Sequence, residues 1–432
     1  MGFGLGLWLL FARVWGISLL GANWLALVQV HGLLQLFGFA GLFAMGVALH
    51  AVPRFRGAPP PSRTLVWITY LGTLGGLALR SIAQPMPDLP GRSTLLVIGG
   101  ASLVLGTLAF GVAAIRALVS GRNPHRADEL LIGAGICAVP IAALLVSLEM
   151  LGSAPVVVDQ VTDDRAVWVM LLGGLSTLIF GVWARLAPGF IASRPSTPRL
   201  LIAGGTLWLA GVILQAFGVA LGPWLLLVGL AALTGAVGLL GPGIAHQPLH
   251  GHARLTRLGV RSAFAWAFIG LGIISVGTLG LAGSYLQVSA ARHALALGFV
   301  TLMIYAVASR ALPAFLGRRL WNTRLQAATL AVANAGVALR VVPQLAAGTD
   351  ALSDAFVGFS GILAYLALVL FTVNVVRTLR GPNAPTVAAG APVPLEMRLG
   401  RDRGRPSSGP PAVSDDGSRQ ALAHLSTDTV SE

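Results

Sequence analysis

The amino-acid sequence predicts an all-α polytopic membrane protein with twelve transmembrane helices arranged as three four-helix repeats. Three observations support this prediction: the apolar composition, a series of long apolar stretches, and a helix pattern that recurs along the chain. Hydrophobic residues make up 55% of the chain and charged residues only 10%, and the mean hydropathy is +0.80. So few polar residues cannot cover the surface of a soluble globule of this length.

Twelve apolar stretches have about 20 residues or more, which is enough to cross a hydrocarbon core of roughly 30 Å as a helix. They lie near residues 3–28, 31–53, 64–83, 94–119, 129–153, 166–190, 200–220, 222–243, 258–282, 289–314, 325–347 and 352–377. The first stretch lacks the charged start and the cleavage site of a secretory signal peptide, so we expect a retained helix.

The second, sixth and tenth stretches end alike, with a proline that is followed two residues later by phenylalanine. Their prolines, Pro53, Pro188 and Pro313, are 135 and 125 residues apart. The same offsets superimpose a basic residue near each helix end, namely His50, Arg185 and Arg310. Such self-similarity indicates internal repeats. We predict one membrane domain over residues 1–379, with repeats of approximately 1–122, 123–252 and 253–379.

The net charge of +14 comes from arginines that follow the membrane topology. Alternate loops contain them: Arg54, Arg56 and Arg63; Arg116, Arg122 and Arg126; Arg194 and Arg199; Arg254, Arg257 and Arg261; Arg318, Arg319 and Arg324. By the positive-inside rule these loops and both termini are cytoplasmic, in a bacterial cytoplasmic membrane. We therefore expect a lipid bilayer and no nucleic acid as partner, with His31 and His293 near the outer surface.

The chain changes character after about residue 380. Residues 380–432 are rich in Pro, Gly, Ser, Arg and Asp, which bury too little apolar area to order a segment. We predict a disordered cytoplasmic tail there.

Two histidines have a characteristic position in their helices. His31 precedes Pro53 by 22 residues and begins the string His-Gly-Leu-Leu-Gln-Leu-Phe-Gly-Phe, and His293 precedes Pro313 by 20 residues. On these motifs the membrane region resembles subunit I of the heme-copper oxidase superfamily, near the NnrS and nitric oxide reductase-like branch. Members of this superfamily have twelve helices in three arcs of four, and the resemblance implies the same fold here. The motif's usual second histidine, glutamate and methionine are replaced by Leu33, Leu34 and Gln35.

The resemblance implies a cofactor and its ligands. His31 and His293 would be the axial ligands of a low-spin heme, which we take to be heme b. Arg80 and Arg340 would clamp the heme propionates, and Arg13 would be a further heme partner. The alternative interpretation places both histidines, Arg80 and Arg340 at helix ends, where they reach the membrane surface. Arg13, about ten residues into the first stretch, fits that interpretation less well.

The sequence also departs from this superfamily at the catalytic centre. The position of the high-spin heme ligand is Ala291, and the sixth and seventh stretches contain no histidine for copper. We therefore expect neither copper nor terminal oxidase activity. Glu149 is the one intramembrane carboxylate that the sequence suggests, so we expect no proton pumping.

A second, weaker metal site is suggested by three histidines between the eighth and ninth stretches. His246 and His250 are four residues apart, and His252 follows. That spacing places two imidazoles on one face of a helix, but Pro248 and Gly251 would interrupt such a helix.

The sequence thus predicts a heme-binding membrane protein in electron transfer or in the response to nitric oxide, with a cytochrome or other respiratory subunit as a candidate partner. Three alternatives remain compatible with the sequence. They are an active nitric oxide or oxygen reductase with a second metal site, a membrane transporter, and a catalytically dead structural subunit of a respiratory complex.

Overall fold

A computed structural model describes residues 2–15, 23–239, 251–281, 284–346 and 351–381. These residues form twelve helices, when each π-helical segment is counted with the helix that contains it. They are α1 (Gly2–Trp15), α2 (Trp24–Arg56), α3 (Arg63–Ala83), α4 (Arg92–Ser120), α5 (Asp128–Gly152), α6 (Gln160–Ile191), α7 (Pro198–Ala216), α8 (Leu221–Ala236), α9 (Gly251–Gly277), α10 (Tyr285–Phe315), α11 (Thr323–Leu345) and α12 (Ala351–Arg380).

Ten of these helices are long and apolar enough to cross a membrane, and the described residues add two shorter apolar helices, Gly2–Ala12 and Leu221–Ala236. The predicted all-α membrane fold is confirmed, while the count of twelve spans stays a prediction. The described residues belong to a unit that ends at Ala384. The predicted tail lies outside the described residues beyond position 381.

The centre of the bundle is built from three π-helical segments, one in each repeat. They are Leu34–Gly41 in α2, Val169–Ser176 in α6 and Ala294–Thr301 in α10. Their first residues are 135 and 125 residues apart, which are the offsets between the prolines. The hydroxyls of Ser176 and Thr301 donate to carbonyls five residues earlier, at 2.7 and 2.9 Å. The three segments contact one another, so they form the axis of the repeat.

The helix that contains His31 begins earlier than the sequence suggested. The second apolar stretch was predicted to open at His31, but α2 begins at Trp24. Asn23 caps it, because its side-chain oxygen accepts the N–H of Ala26 at 3.1 Å. His31 therefore lies seven residues inside α2 and not at its end.

Helices α3 and α4 pack closely through glycines. A Cβ atom at Gly76 of α3 would lie only 2.6 Å from the carbonyl oxygen of Gly99 and from the backbone nitrogen of Leu103 in α4. Small residues let the two backbones approach closely and form extensive van der Waals contacts. Such contacts hold helices together in lipid, where no hydrophobic driving force acts between them.

We call the end of the bundle with Pro53, Pro188 and Pro313 the proline end. A buried ion cluster lies there. Asp128 and Glu129, in the first turn of α5, pair with Arg185 of α6 at 2.8 and 3.4 Å, and Arg56 of α2 lies 3.5 Å from Glu129. The candidate span that contains Glu149 also contains Asp128 and Glu129, which the expectation about Glu149 left out. Asp128 and Glu129 follow an arginine-rich loop, so the sequence did not distinguish them from loop residues.

The glycine contact between α3 and α4 is testable. Gly76→Ala should destabilise the protein by about 1–3 kcal/mol, because the new methyl group overlaps backbone atoms of α4. Gly75→Ala is the matched control, since no atom lies within 4 Å of a Cβ built at Gly75. Thermal unfolding in detergent measures both, and equal unfolding temperatures would contradict the packing described.

The ion cluster predicts a second difference in stability. Arg185→Gln leaves two buried carboxylates without their shared cation, and should destabilise the protein by about 3–5 kcal/mol. The control Arg126→Gln removes an arginine whose side chain is 52% exposed and which contacts the same Asp128, so its effect should stay within about 1 kcal/mol. Denaturant titration monitored by circular dichroism compares them, and a smaller loss for Arg185→Gln would count against the cluster.

Candidate functional site

The end of the bundle opposite the proline end contains a cavity of about 840 Å³. We call it the histidine cavity, because both His31 and His293 line it. Its walls come from α1, α2, α5, α6, α10, α11 and α12 and are mostly apolar. The polar side chains of the lining include Gln29, His31, Gln35, Asp163, Ser289, Arg292, His293, Arg340 and Gln344. The volume lies within the range of about 300–1,000 Å³ that is usual for ligand and cofactor sites.

Helix α1 holds the imidazole of His31 in place. The Nδ1 atom lies 2.9 Å from the carbonyl oxygen of Gly2. A Cβ atom at Gly6 would lie 2.5 Å from Cε1 of the ring, so the backbone of α1 is in direct contact with it. A carbonyl oxygen only accepts, so Nδ1 must donate and the lone pair of the neutral ring is on Nε2.

The imidazole of His293 has the same arrangement. Its Nδ1 atom lies 2.7 Å from the carbonyl oxygen of Ser289, one turn earlier in α10. Nδ1 again donates, and Nε2 keeps its lone pair. A neutral imidazole whose other nitrogen donates to a backbone carbonyl is the form in which histidine ligates a metal. The donor set of the cavity therefore fits a metal centre that takes one imidazole from each of two helices.

Two arginines and an aspartate line the cavity with the histidines: Arg292, Arg340 and Asp163. Arg292 is held by an ion pair with Asp164 at 2.6 Å and by its position over the Trp168 ring, 5.2 Å from the ring centre. The sequence analysis did not select Arg292, although it directly precedes His293. The cavity thus combines apolar walls with two guanidinium groups and one carboxylate.

The structure brings Arg340 to the cavity but does not bring Arg80 there. Arg80 is buried behind the wall, where Nε donates to Oε1 of Gln84 at 2.7 Å and Nη1 donates to the carbonyl of Val146 at 2.7 Å. Gln84 in turn donates to Gln29, a lining residue, at 2.9 Å. Arg80 therefore supports the wall through two hydrogen bonds. The side chain of Arg13 lies outside the described part of the structure.

The three histidines between α8 and α9 do not form a site in the described residues. His246 and His250 lie outside them. His252 donates from Nδ1 to Oε1 of Gln326 at 2.7 Å. Among the residues with a described placement, no group of three or more His, Cys, Asp or Glu side chains could hold a metal ion.

The role of α1 was also missed. Gly2 and Gly6 are four residues apart, so they lie on one face of a helix. Small residues at this spacing are typical of close helix contacts in membranes, and this signal identifies the face that meets His31.

Comparisons with known proteins agree with this architecture. The family model described as NnrS protein matches residues 2–383. A solved structure, described as that of a heme-copper terminal oxidase dimer, is similar with a TM-score of 0.58 and 14% sequence identity, over 92% of this chain and 86% of that chain. At that identity the likeness concerns the fold. No curated protein sequence matches this chain.

Proposed function

We propose that this chain, which belongs to the NnrS family, binds one low-spin heme b in the histidine cavity, with His31 and His293 as the two axial ligands. One observation carries the proposal: both histidines line a single cavity, and both direct Nδ1 to a backbone carbonyl. Two imidazole nitrogens are thereby available to one iron. When bound, the heme supplies one-electron redox chemistry.

The rest of the cavity suits the same group. Arg340 and Arg292 would bind the two propionates, because guanidinium groups pair with carboxylates through two parallel hydrogen bonds. The mostly apolar walls would lower the local polarity and so take part in setting the reduction potential. The hydrogen bonds from His31 and His293 to backbone carbonyls make both ligands more basic.

The role that follows is electron transfer in a membrane, or a redox step in the response to nitric oxide. Two histidine ligands fill both axial positions of a heme, so the iron would pass electrons and would not bind a gas directly. We place the chain in the bacterial cytoplasmic membrane with both termini in the cytoplasm, since the arginine-rich loops lie at the proline end. A cytochrome or another respiratory subunit is the candidate electron partner.

A reduced-minus-oxidised absorption spectrum of the purified protein tests the proposal. We expect sharp low-spin bands that carbon monoxide does not change, and their loss in His31→Ala and in His293→Ala, because each variant removes one axial ligand. His252→Ala is the control and should keep the spectrum. Well-folded wild-type protein without heme would overturn the proposal and favour a transporter.

The contact with α1 gives a further prediction. Gly6→Ala places a methyl group 2.5 Å from the His31 ring, which must then turn or move away from α1. We expect shifted or broadened low-spin bands and heme retention that is roughly tenfold weaker, as when the outer support of a metal ligand is lost. Gly4→Ala, with no atom within 4 Å of its new Cβ, is the matched control. Identical spectra for the two variants would show that α1 does not orient His31.

A further inference from the structure

At the proline end, α2, α6 and α10 are joined in a closed ring by three contacts of one kind. In each, a basic side chain of one helix lies against a phenylalanine of another. The contacts are Arg185 over Phe55 at 4.9 Å, Arg310 over Phe190 at 5.4 Å, and the His50 ring against the Phe315 ring at 4.2 Å between centres. We call these contacts the proline-end ring.

The ring follows the repeat symmetry. The three basic residues occupy equivalent positions, and so do the three phenylalanines, at the offsets of 135 and 125 residues. Helix α6 reaches to α2, α10 reaches to α6, and α2 reaches to α10. The last contact closes the ring between the first and the third repeat.

The three contacts differ in the additional bonds that their basic side chains make. Arg185 also donates to the carbonyl of Phe55 at 3.2 Å and belongs to the buried ion cluster. Arg310 also donates to the carbonyl of Gly189 at 3.2 Å. His50 makes its ring contact with Phe315, and its buried Nε2 atom has no hydrogen-bond partner within the described residues. The contact between His50 and Phe315 therefore rests on ring packing, without the hydrogen bond that accompanies each of the other two contacts.

This contact joins the two helices that contain His31 and His293. Helices α2 and α10 touch through their π-helical segments, and the histidine cavity opens between them on one side of that crossing. His50 lies on the other side. At 1.5 Å per residue, His31 is roughly 10 Å and His50 roughly 19 Å from the middle of the π segment of α2.

We infer that His50 and Phe315 form a positioning contact for the histidine cavity. By holding α2 and α10 together at the proline end, the contact sets the angle at which they cross, and with it the separation of His31 and His293. The consequence for heme rests on the function proposed above, but the helix geometry can be measured without heme.

The geometry is tested by spin labels at the cavity end, on Leu25→Cys of α2 and Tyr285→Cys of α10, two residues that are 48% and 66% exposed. The background is Cys137→Ser, which removes the single cysteine. Double electron–electron resonance should give a shifted or broadened distance distribution in His50→Leu and in Phe315→Leu. His50→Arg introduces the side chain found at the two equivalent positions and should keep the wild-type distribution.

Phe190→Leu is the matched control, because it breaks the equivalent contact between α6 and α10. It should lower the unfolding temperature and leave the measured distance unchanged. Unchanged distances in both His50→Leu and Phe315→Leu, or an equal change in Phe190→Leu, would overturn the inference.

Heme retention gives the second readout. His50→Leu should retain heme roughly tenfold more weakly, at the lower limit for loss of an outer support of a metal site. Phe190→Leu should retain heme as the wild type does, and equal retention in His50→Leu and wild type would count against a positioning role. If the wild-type protein binds no heme, the proposed function fails, and the distance measurement still decides whether His50 and Phe315 position the two helices.

Discussion

The contact among the three π-helical segments is the constraint on which the rest of the structure depends. A π turn takes one more residue per hydrogen bond than an α turn, so each segment shifts the helix face that follows it. Because the segments recur at the same place in each repeat, α2, α6 and α10 meet at one level. The cavity lies on one side of this level, and the ring of basic and aromatic side chains lies on the other.

Charge is distributed in agreement with this geometry. The middle of the bundle is apolar, and the charged side chains of α2, α6 and α10 lie toward the two ends of these helices. Buried ions in a medium of low dielectric need partners, and the cluster around Asp128 and Glu129 supplies them at the proline end. At the other end Arg292 has Asp164, and the pair stands beside a cavity large enough for a cofactor. At the proline end the buried charges therefore pair with one another. The opposite end has a cavity that can receive a ligand.

Much of this could be predicted from the sequence, because repeats and helix spacing are local properties. The offsets between the prolines predicted the repeat, and the π segments recur at the same offsets, although nothing in the sequence indicated the π turns themselves. His31 and His293 line one cavity. The errors concern features that depend on other helices. The start of α2 lies within a continuous apolar run, where Asn23 is its one polar mark. An arginine side chain is long enough to reach several acceptors, and Arg80 bonds to Gln84 instead of reaching the cavity.

The order of the contacts around the proline-end ring has a consequence for biosynthesis. Arg185 and Phe55 can meet once the second repeat is in the membrane, whereas Phe315 reaches His50 only when the third repeat has been inserted. Chains emerge from the ribosome with the N-terminal part first, so the first repeat is made before the residues of the third repeat that complete the cavity wall. A cofactor that needs both His31 and His293 can be held only after nearly the whole membrane region has been made, which places its insertion late in assembly.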